Sequence, residues 1–558
     1  MWQQNYEPIG GSLGASALVA AIPLAVLFFM LGVLRKPSWM AALTALAAAF
    51  VLALTAWGMP VTLALMSALT GAGYGLFPIS WIVFSSILLY RLAVHTGRFE
   101  IVKDSVGGLT NDRRLQALFI AFSFGAFIEG AAGFGAPVAV SGAMLTGLGF
   151  PPFYAAGICL MANTAPVAFG SIGIPVTTLA GITGLPVMPL SAMVGRLCAM
   201  ISLVIPMYLI VVLAGWRRAF EVLPAALICG ASFAIVQFAV SNFVGPELTD
   251  ILSSLSCIAA MVLVLKLWKP VTIFRLAGEQ AEAPPAHRHP AGVVFRAWLP
   301  YVLLVIFVLV WGEISVKRSI DGFTNGLLPS FLPRSPTVVN GLMVPGLHNL
   351  VTRVPPVTLK PSPYAAVYTF NWLSSAGTAC FLAAAAFALI ARVSVRDFAA
   401  VYRATFAQLA KPILTIAAML ALAYLMNYSG MTSTLGIALA ATGKTFPFFS
   451  AILGWLGVFL TGSDTSANAL FGNLQMITAN QLGLNPVLTT SVNSAAGVMG
   501  KMIALPSIAV AVAATGLTAE DEGKLFRFTL MHSVLLACVV GLVATLFAYV
   551  FPGAVPRA

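Results

Sequence analysis

Residues 122–144 read FSFGAFIEGAAGFGAPVAVSGAM, and this stretch decides the fold class. It is long and apolar enough to be buried in a membrane, yet glycines and Pro137 crowd around one acid, Glu129. Because glycine weakens a helix and proline removes one of its hydrogen bonds, we expect the helix to break at mid-membrane depth. A second stretch of the same kind, GWLGVFLTGSDTSANALFGN at residues 454–473, occurs in the other half of the chain.

The composition of the whole chain agrees with a membrane environment. Of its 558 residues 60% are hydrophobic and 8% are charged, and the mean hydropathy is +0.97. Apolar runs of spanning length recur along the chain, and only helices satisfy their own backbone polar groups in lipid. We therefore predict an all-α polytopic membrane protein with about 12–14 transmembrane segments in two repeats, each containing Gly-interrupted broken-helix or hairpin segments.

The positive net charge of +12 does not indicate a nucleic-acid partner, because Lys and Arg lie in short segments between apolar runs. Arg35 and Lys36 follow the first apolar run, so the positive-inside bias places them in the cytoplasm and the N-terminus outside. Polar breaks divide the chain into an N-terminal repeat (1–268), an inter-repeat loop (269–294) and a C-terminal repeat (295–558). A second polar loop, 315–364, interrupts the C-terminal repeat.

The two repeats share short motifs in the same order. Phe127-Ile128-Glu129-Gly130 matches Phe459-Leu460-Thr461-Gly462. Asn163-Thr164-Ala165 matches Asn493-Ser494-Ala495, and Gly170 and Gly500 follow these asparagines at the same distance. Corresponding interrupted segments of this kind are typical of alternating-access transporters, in which half-helix ends from both repeats meet at a central site.

Three ionisable residues lie deep in apolar runs: Glu129, Asp464 and Lys501. A charge at the bilayer centre costs at least about 2.5 kcal/mol, so each is a candidate functional group. We predict that Lys501 binds an anionic substrate and that Asp464 or Glu129 carries a coupling proton. Simple mutual neutralisation of these charges is the structural alternative. The glycines predicted at the helix breaks are Gly130, Gly133, Gly462 and Gly500.

Small polar side chains complete the predicted substrate site. Ser463, Thr465 and Ser466 surround Asp464, and their alternative role is to cap the second half of a broken helix. The amides of Asn163 and Asn493 can donate to a carboxylate and accept from a hydroxyl, although interhelical hydrogen bonding explains them equally well. The sequence contains no H-E-x-x-H motif and no Walker loop, so we predict no enzyme, no cofactor and no metal site.

Four motifs carry a resemblance to a known family: FIEGAAGFGAPVAV (127–140), NTAPVAFGSIGIP (163–175), FLTGSDTSANALFG (459–472) and GKMI (500–503). The chain resembles the bacterial lactate permease family over most of its length. That resemblance implies proton-coupled uptake of L-lactate, and also of D-lactate and glycolate, across the bacterial cytoplasmic membrane by a multi-pass protein. One departure is Ala504-Leu505-Pro506-Ser507, which replaces the family's usual Ser-Pro-Gln-Ser beside Lys501.

Two alternatives remain open from the sequence. Carbonyl groups of an unwound helix beside Ser463, Thr465 and Asn468 would also suit sodium, which predicts a sodium-coupled carboxylate transporter. A passive anion channel would need no coupled cation, although the paired membrane acids argue against it.

Overall fold

The computed structural model describes residues 1–107, 109–133, 135–276, 289–327, 331–336 and 338–557. Residues 277–288 of the predicted inter-repeat loop lie outside these ranges. The described helices of the first half are α1 (Leu13–Ala20), α2 (Ile22–Phe28), α3 (Ser38–Thr55), α4 (Val61–Tyr74), α5 (Trp81–His95), α6 (Arg98–Gly107), α7 (Arg113–Gln116), α8 (Gly125–Ala131), α9 (Ala136–Gly147), α10 (Pro152–Ala162), α11 (Gly170–Thr183), α12 (Val187–Ala214), α13 (Trp216–Phe220), α14 (Leu223–Phe243) and α15 (Thr249–Leu267).

The second half continues with α16 (Ala291–Gly312), α17 (Ile314–Leu327), α18 (Ala376–Ile390), α19 (Val395–Ser429), α20 (Met431–Leu439), α21 (Phe446–Thr461), α22 (Asp464–Gln481), α23 (Pro486–Lys501), α24 (Leu505–Thr515) and α25 (Glu522–Tyr549). Five short strands are β1 (Trp2–Gln3), β2 (Gly341–Met343), β3 (Val351–Arg353), β4 (Ser362–Pro363) and β5 (Val367–Thr369). Segments of π-helix at Phe29–Val33, Gly75–Ser80 and Ala117–Phe124 continue the helices beside them.

The prediction of an all-α polytopic membrane protein is confirmed. Within the described ranges, 12 helical runs are long and apolar enough to cross a membrane, or 13 if the bent pair α10–α11 counts as one span. The first observed run, Leu13–Val33, ends just before Arg35 and Lys36, as predicted. Hydropathy alone was sufficient here, because a helix that crosses a membrane needs a long apolar run.

Each half contains a helical hairpin followed by a broken helix. In the first half the run from α7 to α8 turns back into α9, and Ser141 of α9 donates to the Ile120 carbonyl at 3.1 Å. The bent pair α10–α11 follows, with an angle of 60° at its break. In the second half α21 and α22 form the hairpin, and α23 and α24 form the broken helix. We call these elements hairpin 1, break 1, hairpin 2 and break 2.

The two hairpins enter from opposite faces. Three spans separate the N-terminal strand from hairpin 1, so the base of hairpin 1 lies on the face opposite the N-terminus. Strand β1 pairs with β3, and Gln481 at the base of hairpin 2 donates to the Pro356 carbonyl at 2.8 Å. Hairpin 2 therefore enters from the N-terminal face, and the tips of the two hairpins can meet in the interior.

The polar segment 315–364 was predicted to be a loop, but it contains regular secondary structure. Its described residues include most of α17, and strands β2 to β4 follow. Strand β3 pairs on one side with β1 and on the other with β4. A pairing with residues near the N-terminus has no local sequence signal, which explains why composition alone indicated only a loop.

Candidate functional site

The tip of hairpin 1 carries Glu129. Helix α8 ends at Ala131, and Gly133 adopts a positive φ of +62° at the turn. A Cβ on Gly133 would lie 2.0 Å from Oγ of Ser171, so the tip packs directly on break 1. Ser171 also donates to the Ala132 carbonyl at 2.9 Å, which fastens the two elements together.

The tip of hairpin 2 is a capped helix start. Gly462 ends α21 with a φ of +72°, and the Ser463 side chain accepts from the Ser466 amide as the N-cap of α22. The predicted capping alternative therefore holds for Ser463. Asp464 occupies the first turn of α22, where the partial positive charge of the helix N-terminus stabilises a carboxylate.

Lys501 and Glu129 form an ion pair between the two halves. Lys501 is the last residue of α23, immediately before break 2, and its Nζ lies 3.1 Å from Oε1 of Glu129. Their side chains are 13% and 3% exposed, respectively. Oε2 of Glu129 has no hydrogen-bond partner among the residues that the structure describes. The lysine is thus neutralised in this state by one carboxylate oxygen.

Gly170 makes room for this ion pair. A Cβ added to Gly170 would lie 2.5 Å from Oε1 of Glu129, so only glycine allows the carboxyl group to occupy this position. The residues that follow, Ser171 and Ile172, adopt φ values of +47° and +62°, which non-glycine residues rarely adopt. Break 1 is therefore an unwound turn fitted closely around the acid of hairpin 1.

Asp464 belongs to a separate hydrogen-bond network. Its Oδ2 accepts from Oγ of Ser494 at 2.6 Å and from Nδ2 of Asn468 at 3.5 Å. Asn468 also donates to the Pro175 carbonyl of α11 at 3.1 Å, which links hairpin 2 to the first half. Oδ1 of Asp464 has no partner in the described part of the chain. Two donors and a helix N-terminus hold this carboxyl group in place.

A cavity of about 410 Å³ joins these groups. Its lining includes Glu129, Lys501, Asp464 and the three predicted hydroxyl residues Ser463, Thr465 and Ser466. It extends to Pro37, Ser38, Trp39 and Lys411, close to Arg35 and Lys36. The cavity thus connects the tips of both hairpins to the face opposite the N-terminus, which the charge bias predicts to be cytoplasmic.

The two predicted asparagines do not line this cavity. Asn493 is fully buried, donates to Oδ1 of Asn468 at 2.9 Å and accepts from Gln475 at 3.2 Å. Asn163 ends α10 at break 1, and its Oδ1 has no partner within the described ranges. The environments differ because break 1 follows Asn163 directly, whereas α23 continues for two turns beyond Asn493 before break 2.

Two of the four glycines predicted at breaks lie inside helices instead. Gly130 is in α8, and an added Cβ would meet Asp250 at 2.8 Å. Gly500 is in α23, and an added Cβ would meet the Trp455 carbonyl oxygen at 2.4 Å. These glycines permit close helix packing, a use of small residues that is common in membranes. Only Gly133 and Gly462 lie at the turns.

Sequence reasoning missed several residues of the site. Asp250, 1% exposed in the first turn of α15, touches hairpin 1 beside Glu129. Its available signal was an acid just inside an apolar stretch of the sequence. Lys411 lines the cavity from a distant part of the chain, and no local pattern marked it. At the departure from the family pattern, Ala504 precedes α24 without a side-chain cap.

Comparisons with known proteins agree with this architecture. The L-lactate permease family matches residues 16–551. The chain belongs to this family. It is 50% identical to the L-lactate permease of Bacillus subtilis, and the match covers all of both chains. It is 44% identical to the glycolate permease GlcA of Escherichia coli, over 99% of each chain, and 45% identical to the L-lactate permease of that organism, over all of each. The protein is therefore a multi-pass protein of the bacterial inner membrane, in a family of permeases.

Proposed function

We propose that this protein is a secondary active transporter that takes up L-lactate, D-lactate and glycolate by proton symport. The relatives named for L-lactate and glycolate support this substrate class. Both substrates are small 2-hydroxy monocarboxylates. The observation that carries the proposal is the Lys501–Glu129 ion pair in the cavity between the two hairpin tips.

Substrate binding begins at Lys501. This ammonium group can bind the carboxylate of lactate through a charge-assisted hydrogen bond, the strong kind in a low-dielectric site. Ser463, Thr465 and Ser466 line the same cavity, and their hydroxyl groups suit the substrate's 2-hydroxyl. The helix N-terminus of α22 adds a favourable field for an anion.

Competition for Lys501 couples the proton to the substrate. Nζ of Lys501 donates to Oε1 of Glu129 at 3.1 Å, so an incoming carboxylate has to displace Glu129 from the lysine. An ionised carboxylate left unpaired in the membrane interior is costly and takes up a proton instead. Lactate binding and protonation of Glu129 are therefore one event. Asp464, the other predicted proton carrier, keeps its two donors throughout and serves to fix the tip of hairpin 2.

Uptake into proteoliposomes tests this function. Labelled L-lactate, D-lactate and glycolate are offered under an imposed pH gradient, with and without sodium, and protein-free liposomes correct for leakage of the free acids. We expect accumulation that follows the pH gradient and ignores sodium. A strict sodium requirement would favour the sodium-coupled alternative, and uptake that never exceeds the equilibrium ratio would favour the channel.

A further inference from the structure

A third acid, Asp250, lies beside the ion pair and has no assigned role. It is 1% exposed, and within the described chain neither of its carboxylate oxygens has a hydrogen-bond partner. Buried polar groups are normally paired, so an acid with two unpaired oxygens in a membrane protein requires an explanation.

Asp250 contacts the element that carries Glu129. A Cβ added to Gly130, the next residue along α8, would lie 2.8 Å from the Cβ of Asp250 and 3.1 Å from the side chain of Ile251. The first turn of α15 therefore packs against the last turn of α8. The charged groups that act on Asp250 electrostatically are Glu129 from α8 and Lys501 from α23.

Asp250 lies toward the N-terminal face. Helix α14 begins shortly after Arg218, whose carbonyl accepts from Arg114 at the base of hairpin 1, so α14 ends at the opposite face. The connection between α14 and α15 contains Glu247, which is half-buried three residues before Asp250. The substrate cavity reaches the other face, and Asp250 is absent from its described lining. Glu129 thus lies between the cavity and Asp250.

Opposing influences act on the Asp250 carboxyl group. The N-terminus of α15 and the Lys501 charge favour the carboxylate, whereas burial without donors and the Glu129 charge favour the protonated acid. Changes in these neighbouring charges during substrate binding therefore act on the proton of Asp250.

We propose that Asp250 is a proton relay, which passes its proton to Glu129 when a substrate carboxylate takes Lys501. This inference rests on the proposed function and adds the residue that supplies the proton. In the step, the O–H bond of Asp250 breaks and an O–H bond forms on Glu129. Asp250 is then a carboxylate, which regains a proton from the solution on the N-terminal face. No electrons are transferred. The two carboxyl groups are not hydrogen-bonded to each other in this state, so in the proposed step a water molecule between them carries the proton.

The test compares Asp250→Asn with wild type in proteoliposomes. Asparagine keeps the size of the side chain but cannot titrate. Wild type should accumulate lactate about tenfold under a gradient of one pH unit. With Asp250→Asn, the internal lactate concentration should stay within about twofold of the external concentration. Lactate–lactate exchange, which needs no net proton movement, should persist in the variant.

Two further variants make the result specific. Asp250→Glu retains a titratable group and should restore accumulation. Ser253→Ala, on the next turn of α15, removes a hydroxyl that bonds only within the described helix, and it should behave as wild type. Normal accumulation by Asp250→Asn would overturn the relay, as would equal loss of exchange and accumulation. Wild-type accumulation that ignores the pH gradient would instead overturn the proposed function, and the relay with it.

Discussion

In the proposed function, Lys501 is the residue that binds the substrate carboxylate. Lys501→Ala removes the cation that we assign to the substrate carboxylate, and it also leaves Glu129 without its partner. Truncating one partner of a buried charge pair between protein and ligand costs about 2–5 kcal/mol of binding free energy, so lactate binding should fall by at least about thirtyfold. Substrate protection against thermal unfolding in detergent measures this loss.

Lys411 provides the matched control for Lys501. It also lines the cavity but is exposed at its mouth, where water screens its charge. Lys411→Ala should therefore bind lactate nearly as wild type does. Equal losses in both variants would mean that the cavity attracts anions by general charge, without a carboxylate site at Lys501.

Glu129 and Asp464 should differ when each is neutralised. Glu129→Gln removes the acid that competes with substrate for Lys501, so pH-driven accumulation should disappear while exchange continues. In Asp464→Asn, the amide oxygen can still accept hydrogen bonds from Ser494 and Asn468, so this variant should still accumulate lactate. Uptake and exchange assays on the two variants measure the difference. The reverse pattern would assign the proton to Asp464.

At this scale the sequence predicted the charged residues and, as an alternative, that they neutralise one another, but it left open which acid pairs with Lys501. Rarity inside apolar runs was enough to select Glu129, Asp464 and Lys501. The pairing of Lys501 with Glu129 depends on how two halves of the chain meet, which no local pattern contains. Asn163 and Asn493 match in sequence yet differ in environment, because the breaks fall at different distances from them.

At the scale of elements, close packing holds hairpin 2 against break 2. Gly454, Gly497 and Gly500 lie where an added Cβ would meet the neighbouring element at less than 3.0 Å. Of these three, Gly500 was predicted to lie at a helix break, and the sequence could not separate that use from close helix contact. Hairpins and broken helices were predictable from Gly and Pro density, since breaks inside membranes need such residues.

Gly500→Ala tests this packing. The new methyl group would meet backbone atoms of Trp455 and Phe459, which cannot move independently of α21. We expect a loss of about 1–3 kcal/mol in stability, visible as a lower melting temperature in detergent, together with reduced uptake. Gly147→Ala on α9, where an added Cβ meets nothing within 4 Å, is the control. Equal melting temperatures for the two variants would refute the packing argument.

For the whole molecule, charge bias and fold together predict the orientation. The first span separates the N-terminal strand from Arg35 and Lys36, and the cavity reaches the second of these faces. The structure thus corresponds to a state in which the proposed substrate site is open toward the predicted cytoplasm. The small sheet that joins β1 to β3 and β4 lies on the N-terminal face, and its non-local pairing was beyond sequence reasoning.

Cysteine labelling tests this orientation. Gln3→Cys should react with an impermeant maleimide in intact cells, and Lys36→Cys only after permeabilisation, because both positions are exposed on opposite faces. The wild-type chain provides a low background, since five of its cysteines are buried and Cys538 is partly buried. Labelling of Lys36→Cys in intact cells would invert the topology.

The central claim is that lactate and a proton cross together because both act on the Lys501–Glu129 pair. Proteoliposomes loaded with a pH indicator test this claim directly. The pH is equal on both sides, potassium and valinomycin clamp the voltage, and lactate is then added outside. We predict internal acidification with wild type in sodium-free medium, after subtraction of the protein-free signal, and none with Glu129→Gln. Lactate entry by wild type without acidification beyond that background would contradict the account.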